Sequence, residues 1–202
     1  MVSAGKVLLA IRNPRLFSIK LYNYVKKRFY VNETLVLFRH KVMTEQKAPV
    51  EIRYASPETI ADILSFQPEK YVKVFEEFLS LGDRGYFGYL NGRCVHRSWV
   101  KHAPQIVHLH PCLPMRLKED EAFIHYCETA PEARRNNIYP YVLTKIVDDF
   151  KDRKKIFVSV NAKNVASMKG VEKAGFRETR RWKLLVVLGI RIRPFRMLVS
   201  VV

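Results

Sequence analysis

Two short stretches hold residue types whose order suits the binding of an anion. The first is PEARRNNIYP at 131–140, which follows the strand-like EAFIHYCET and leads into an apolar run of helical period. A strand that ends at a helix start leaves the first helical N–H groups unpaired at the positive end of the dipole, where phosphate oxygens bind. Glycine usually builds such a loop because it accepts positive φ. Here Asn136 and Asn137 stand instead, and asparagine is the next most tolerant residue of left-handed backbone. Arg134 and Arg135 add charge. A solvated basic loop ahead of a helix is the plainer reading, and the loop alone does not choose between them. The second stretch, NVASMKGVEKAGF at 164–176, reads as a helix opened by Asn164 and stopped by Gly175.

Other chemistry-bearing residues lie upstream. If EAFIHYCET alternates as a strand, His125, Cys127 and Thr129 share one face, with Tyr126 and Glu128 on the other. In HAPQIVHLHPC, His108, His110 and Cys112 would suit zinc if they faced one way. No fourth ligand stands at metal-site spacing, so no metal is expected.

The remaining elements must position these groups. VEIRYA alternates as a short strand, and Ser56 is placed to cap a helix over SPETIADILSF with Pro57 at its first position. PEKYVKVFEEFLSLGD reads as a second helix, with Tyr71, Val74, Phe75 and Phe78 on one face and Gly82 closing it. Asn91-Gly92 between alternating segments is the strongest hairpin signal in the chain. A vaguer strand falls at 106–109. After the helix from Ile138 to Asp152 come a buried-looking strand, KKIFVSV, the 164–176 helix, and a hairpin turning near Gly189. This order implies a mixed sheet with helices on both faces, an α/β (α+β) class.

Charge divides the chain. Residues 1–49 carry 10 basic and 2 acidic side chains, 50–130 carry 9 and 11, and 131–202 carry 17 and 6. Residues 1–48 are therefore read as a basic N-terminal arm, mixing a helical face at 17–25 with the strand-like TLVLFRHKV, and 49–202 as the main domain. TEQKAP at 44–49 serves as the linker. The basic ends predict anionic partners. The arm suits an acidic protein or a peripheral membrane contact. No helix-turn-helix or aromatic RNA platform is visible, so no dedicated nucleic-acid role is expected. Three cysteines without short spacing, no signal-like start and no apolar run near 20 residues fit a cytoplasmic setting.

The spacing N-x-x-S-x-x-x-x-E-K-x-G-F, carried by Asn164, Ser167, Glu172, Lys173, Gly175 and Phe176, resembles the GNAT superfamily of acyl-CoA-dependent N-acyltransferases. Thr129, Pro131 and Arg134 match the upstream pattern, and Asn137 falls where the family has its key glycine. The likeness is close over 130–178 and extends over about 50–202 by element order. It implies a splayed mixed sheet of about six to seven strands. Acetyl-CoA or another acyl-CoA would lie between the fourth and fifth family strands, its pantetheine along Cys127–Thr129. Its pyrophosphate would meet the amides of Arg135, Asn136, Asn137, Ile138 and Tyr139, beside Arg134, while Asn164 would reach the pantetheine region and Ser167 belongs to the same cofactor site.

The implied activity is direct transfer of an acyl group, acetyl above all, to the primary amine of a small molecule, by a monomer or homodimer. Glu128 and His125 are the base candidates, with His96 and His108 able to act through water. Three departures stand out. Arg135, Asn137 and Tyr139 occupy positions that are small in the family. Pro140 lacks an N–H at the helix start. Val171 stands where many members have a tyrosine that protonates the departing thiolate, which leaves Tyr139, Tyr141 or water for that task. The alternatives are a binding module without catalysis, and a transferase of longer acyl chains from acyl carrier protein.

Overall fold

The asparagine–glycine hairpin forms where the sequence predicts it. Strands β3 (Arg84–Leu90) and β4 (Arg93–His102) meet at Asn91 and Gly92, and both turn residues have positive φ, 50° and 77°. The computed structural model describes residues 30–102, 105–110, 113–153, 155–187 and 190–197. Before the hairpin lie β1 (Tyr30–His40), β2 (Glu51–Tyr54), a 3-10 helix (Ile60–Ser65) and α1 (Lys70–Ser80). After it come β5 (Ile106–His110), β6 (Leu113–Arg116), β7 (Glu121–Thr129), α2 (Ile138–Asp149), β8 (Lys155–Asn161), α3 (Val165–Lys173), β9 (Phe176–Val187) and β10 (Ile190–Met197).

Eight strands form one mixed sheet in the order β10-β9-β1-β8-β7-β4-β3-β2, one or two more than expected, while β5 and β6 pair separately. Only β7 and β8 run parallel among the paired strands of the described residues. Helices α2 and α3 cover one face, through Ile138, Val142, Leu143, Ile146 and Val171 on Val36, Phe38, Val100, Ile124 and Val158. The 3-10 helix and α1 cover the other, through Ile63, Phe75 and Phe78 on Phe87 and Trp99. Beside them the β5–β6 hairpin packs Val107 against Leu37 and Phe123.

Two expectations change. The boundary at residue 48 does not hold, because β1 sits inside the sheet, paired with β8 over Leu35–Arg39 and with β9 over Tyr30–His40. Leu35, Val36, Leu37 and Phe38 are all buried. A run apolar on successive positions is the signature of a strand covered on both faces, and here it outweighs the basic composition around it. The 17–25 segment lies outside the described residues. SPETIADILSF forms a 3-10 turn rather than an α-helix. Ser56 and Thr59 bond each other's N–H groups, at 3.4 and 2.9 Å, and the i, i+3 pair Ile60 and Ile63 points into the core as three residues per turn requires. Among the described residues no helix is long and apolar enough to cross a membrane.

Candidate active site

Strands β7 and β8 stay together only from Glu121↔Lys155 to Ile124↔Val158. Beyond that point β7 keeps to β4, with Arg97 opposite Glu128 and His96 opposite Thr129. The departure is set by a bulge: Tyr126 has φ 50°, and the β4 pairing shifts between Arg97 and Trp99. An extra residue on one strand breaks alternation and bends it. The two strands therefore diverge into a fork, and α2 and α3 start beside it.

The bulge also reassigns side chains. His125 and Glu128 fall on one face, and Ile124, Cys127 and Thr129 on the other, contrary to simple alternation. His125 is thereby removed from the fork. Its Nε2 lies 3.3 Å from Oδ2 of the buried Asp83, its ring packs on Phe78 at 4.9 Å, and burial holds its pKa below the ordinary histidine value. It does not line the cleft and is withdrawn as a base. His96 is also fully buried, its pKa depressed to about 3 by burial and by Arg97, and His108 lies on the separate β5–β6 hairpin. Cys112 lies outside the described residues, and among the described residues no three metal-ligating side chains gather.

A cleft of about 720 Å³ opens at the fork. Its walls include Cys127, Glu128 and Thr129 from β7, Arg134, Arg135, Asn137, Ile138 and Tyr139 from the loop and α2, and Asn164 and Ser167 from α3. Of the residues expected at the cofactor, only Asn136 is not among those walls. Its side-chain amide donates to the Ala133 carbonyl at 3.3 Å. Lys173, Gly170, Ala166 and Pro140 join the lining without having been expected.

The loop takes the backbone that glycines would take elsewhere. Arg135 has φ 69° and Asn137 φ 58°, so the left-handed positions are 135 and 137 rather than 136 and 137. Asn137 is the N-cap residue of α2. Tyr141 N–H donates to Asn137 O at 3.2 Å. The amides of Ile138 and Tyr139 ahead of it have no intrahelical acceptor by helix geometry, and Pro140 has no N–H. Asn137 also ties the site together. Its Nδ2 donates to Lys47 O at 2.8 Å and Gln46 Oε1 at 3.2 Å, and its Oδ1 accepts from Lys173 Nζ at 2.7 Å. On α3, Asn164 Oδ1 accepts from Ser167 N–H at 3.1 Å, an N-cap.

Val171 is fully buried beneath the cleft. The hydroxyl at the fork comes from α2 instead: Tyr139 lies against Gly170, where an added Cβ would meet its Cδ1 at 2.9 Å. Its phenol contacts Cys127, and burial together with that thiol raises its pKa well above the usual tyrosine value. Burial likewise raises the Cys127 thiol to about 11, so it is no ready nucleophile. Tyr141 is not among the lining residues. Glu128 is the one carboxylate lining the cleft among the described residues. It pairs with Arg97, which is 3% exposed, at 2.7 Å. A charged residue in an otherwise buried strand demands such a partner, and Arg97 was the overlooked signal of where Glu128 would point.

The sheet thus has one parallel pair that splays at a bulge, with a helix N-terminus and a basic loop at the opening. The chain has the fold of the GNAT superfamily of acetyltransferases. Similar solved structures include a GNAT-family acetyltransferase from Colwellia psychrerythraea (TM-score 0.59, 14% identity, 75% of this chain and 54% of that one). Others are a protein of unknown function from Staphylococcus epidermidis (0.53, 12%, 80% and 64%) and a candidate GNAT acetyltransferase from Novosphingobium aromaticivorans (0.51, 14%, 75% and 62%). The chain thus spans between 54% and 64% of the length of these structures. No protein-family model and no curated protein matches the sequence.

Proposed function

We infer that the protein is an N-acyltransferase that moves an acyl group, acetyl in the first instance, from acyl-CoA to a primary amine of a small molecule. The observation that carries this reading is the fork between β7 and β8, walled by the loop with left-handed Arg135 and Asn137. The residues fit the cofactor: free amides at the α2 start and the cations Arg134, Arg135 and Lys173 line the cleft and would hold a pyrophosphate. Bound acyl-CoA would supply an activated thioester. Glu128 would take a proton from the incoming ammonium, and the Tyr139 phenol, which lines the same cleft, would be the acid available to the departing thiolate.

The buried Val171 and displaced His125 favour one second reading, a CoA-binding module without turnover. Acetyl-CoA hydrolysis and transfer across an amine panel, read by mass spectrometry beside thermal shift with CoA, separates the two. Stabilisation with no product from any amine selects the module. Absence of any stabilisation by CoA removes both readings.

The loop itself is tested by Arg135→Gly. Relief of left-handed strain, roughly 1–2 kcal/mol, exceeds the roughly 0.5–1 kcal/mol of entropy a glycine adds to the unfolded chain. Denaturant titration should therefore show equal or slightly higher stability, while calorimetry shows weaker CoA binding from the lost cation. A clear loss of stability would refute the backbone argument, and unchanged affinity would place the phosphates elsewhere.

A further inference from the structure

On the α1 side of the sheet, an aromatic cluster stands beside Glu128 that nothing in the transfer chemistry requires. Tyr126 is 47% exposed and holds φ 50°, a conformation in which a bulky aromatic is an outlier and which glycine takes without strain. Such strain persists where the surrounding structure over-determines it, and bulges re-aim side chains beside sites. Here the bulge sets the Tyr126 ring edge-to-face with Phe75 and Phe78, at 6.1 and 5.0 Å. Tyr71 of α1, half-buried, stacks on the same Phe75 at 5.6 Å. The Arg97 guanidinium joins these rings to the carboxylate. Its Cζ lies 5.0 Å from the Tyr71 ring and 5.7 Å from that of Tyr126, and its Nη2 donates to Glu128 Oε2 at 2.7 Å. Two tyrosines and the base therefore surround one buried cation, on the face away from α2 and α3.

Charge narrows what this surface can receive. An amine carrying several positive charges needs several carboxylates. Glu128 is the one carboxylate lining the cleft among the described residues, and it is already paired with Arg97. Lys70 Nζ adds a further cation 5.2 Å from the Tyr71 ring, so a second ammonium would meet like charge. An aromatic ring, by contrast, meets tyrosine rings on which it can pack. We propose that the acceptor is an arylalkylamine, its single primary amine at Glu128 and its aromatic ring, a short alkyl chain away, packed against Tyr126 and Tyr71. The inference rests on the acyltransferase reading and names the substrate class of that same site. Tyr126 is then a specificity residue: it binds the ring and takes no part in making or breaking bonds.

Steady-state kinetics with acetyl-CoA and phenethylamine, ethylamine or spermidine test the assignment. The wild type should favour phenethylamine over ethylamine by about 10–100-fold in kcat/KM, the effect of burying one phenyl ring, and should use spermidine no better than ethylamine. Tyr126→Gly, which suits the backbone there, should lower the phenethylamine-to-ethylamine ratio by about tenfold. Tyr71→Ala, on a separate element, should lower the same ratio, and Tyr126→Phe should keep it. A wild-type ratio near one, spermidine as the preferred acceptor, or an unchanged ratio in either truncation overturns the inference and leaves the acyltransferase reading in place. Absence of wild-type turnover with every amine would instead remove that reading and the inference with it.

Discussion

Glu128→Gln is expected to lower kcat/KM for acyl transfer by about 10²–10⁴-fold, the usual contribution of a general base, without weakening CoA binding. Glutamine keeps the shape and an acceptor oxygen for Arg97 but cannot take a proton. The substitution also has a structural cost, because Arg97 is buried and has few ways to replace its anion. Its Nη1 donates to the Tyr126 carbonyl and its Nη2 to Gln67 and Glu128, while Tyr71 and Phe75 lie 5.0 Å from its Cζ. Removing one partner of a fully buried pair costs about 3–5 kcal/mol. Glu128 is 40% exposed, so solvent screening reduces that to about 1–2 kcal/mol. Denaturation and kinetics measured on the same preparation keep the two effects apart. Wild-type kcat/KM in a variant with the expected loss of stability would mean that the base is not Glu128.

The legible parts of this molecule are those encoded over a few neighbouring residues. Asn91-Gly92 specifies its hairpin locally, Phe75 and Phe78 mark the buried face of α1, and the 164–176 spacing marks the helix beside the cleft. The loop at 131–140 was readable as far as its left-handed backbone, with the exact positions shifted because Arg135 rather than Asn136 takes the turn. What failed depends on distant pairing. The Tyr126 bulge has no local signature, since an aromatic residue with positive φ is held there by the register of β4 rather than by its own preference. That one residue reverses the faces of everything after it in β7, which removed His125 from the site. Likewise β1 was hidden by composition. Basic residues surround it in sequence, but the strand itself is apolar, and only the pairing with β8 and β9 reveals it as interior. Gly170 and Arg97 were readable in principle: a glycine within a helix and a cation within a buried strand each call for a close neighbour, here Tyr139 and Glu128.

Gly175→Ala is expected to be the most destabilising single methyl in the fold. The residue ends α3 with φ 85°, and a Cβ built there lies 1.8 Å from the carbonyl oxygen of Val42. That oxygen is backbone and cannot swing away. The same contact holds the exit of β1, where Lys41 and Val42 N–H groups donate to Gly175 O at 3.1 and 3.2 Å. Thr44 and Gln46 bond the neighbouring Lys173 carbonyl at 3.2 and 3.1 Å, and Gln46 in turn accepts from Asn137. Moving Gly175 therefore disturbs the strand, the strap over 44–47 and the cap of α2 together. Gly82→Ala separates strain from clash, because Gly82 has a similar φ of 79° with nothing within 4 Å of an added Cβ. Left-handed strain alone predicts a loss of roughly 1–2 kcal/mol at Gly82. Gly175→Ala should exceed that by several kcal/mol, about 4 or more in all, a fall in Tm of roughly 8–16 °C for a chain of this size. Equal losses at the two positions, measured by denaturant titration, would show that the contact with Val42 is relieved by a small backbone shift. Because the strap reaches Asn137, the Gly175 variant should also bind CoA more weakly than the Gly82 variant at a temperature where both remain folded.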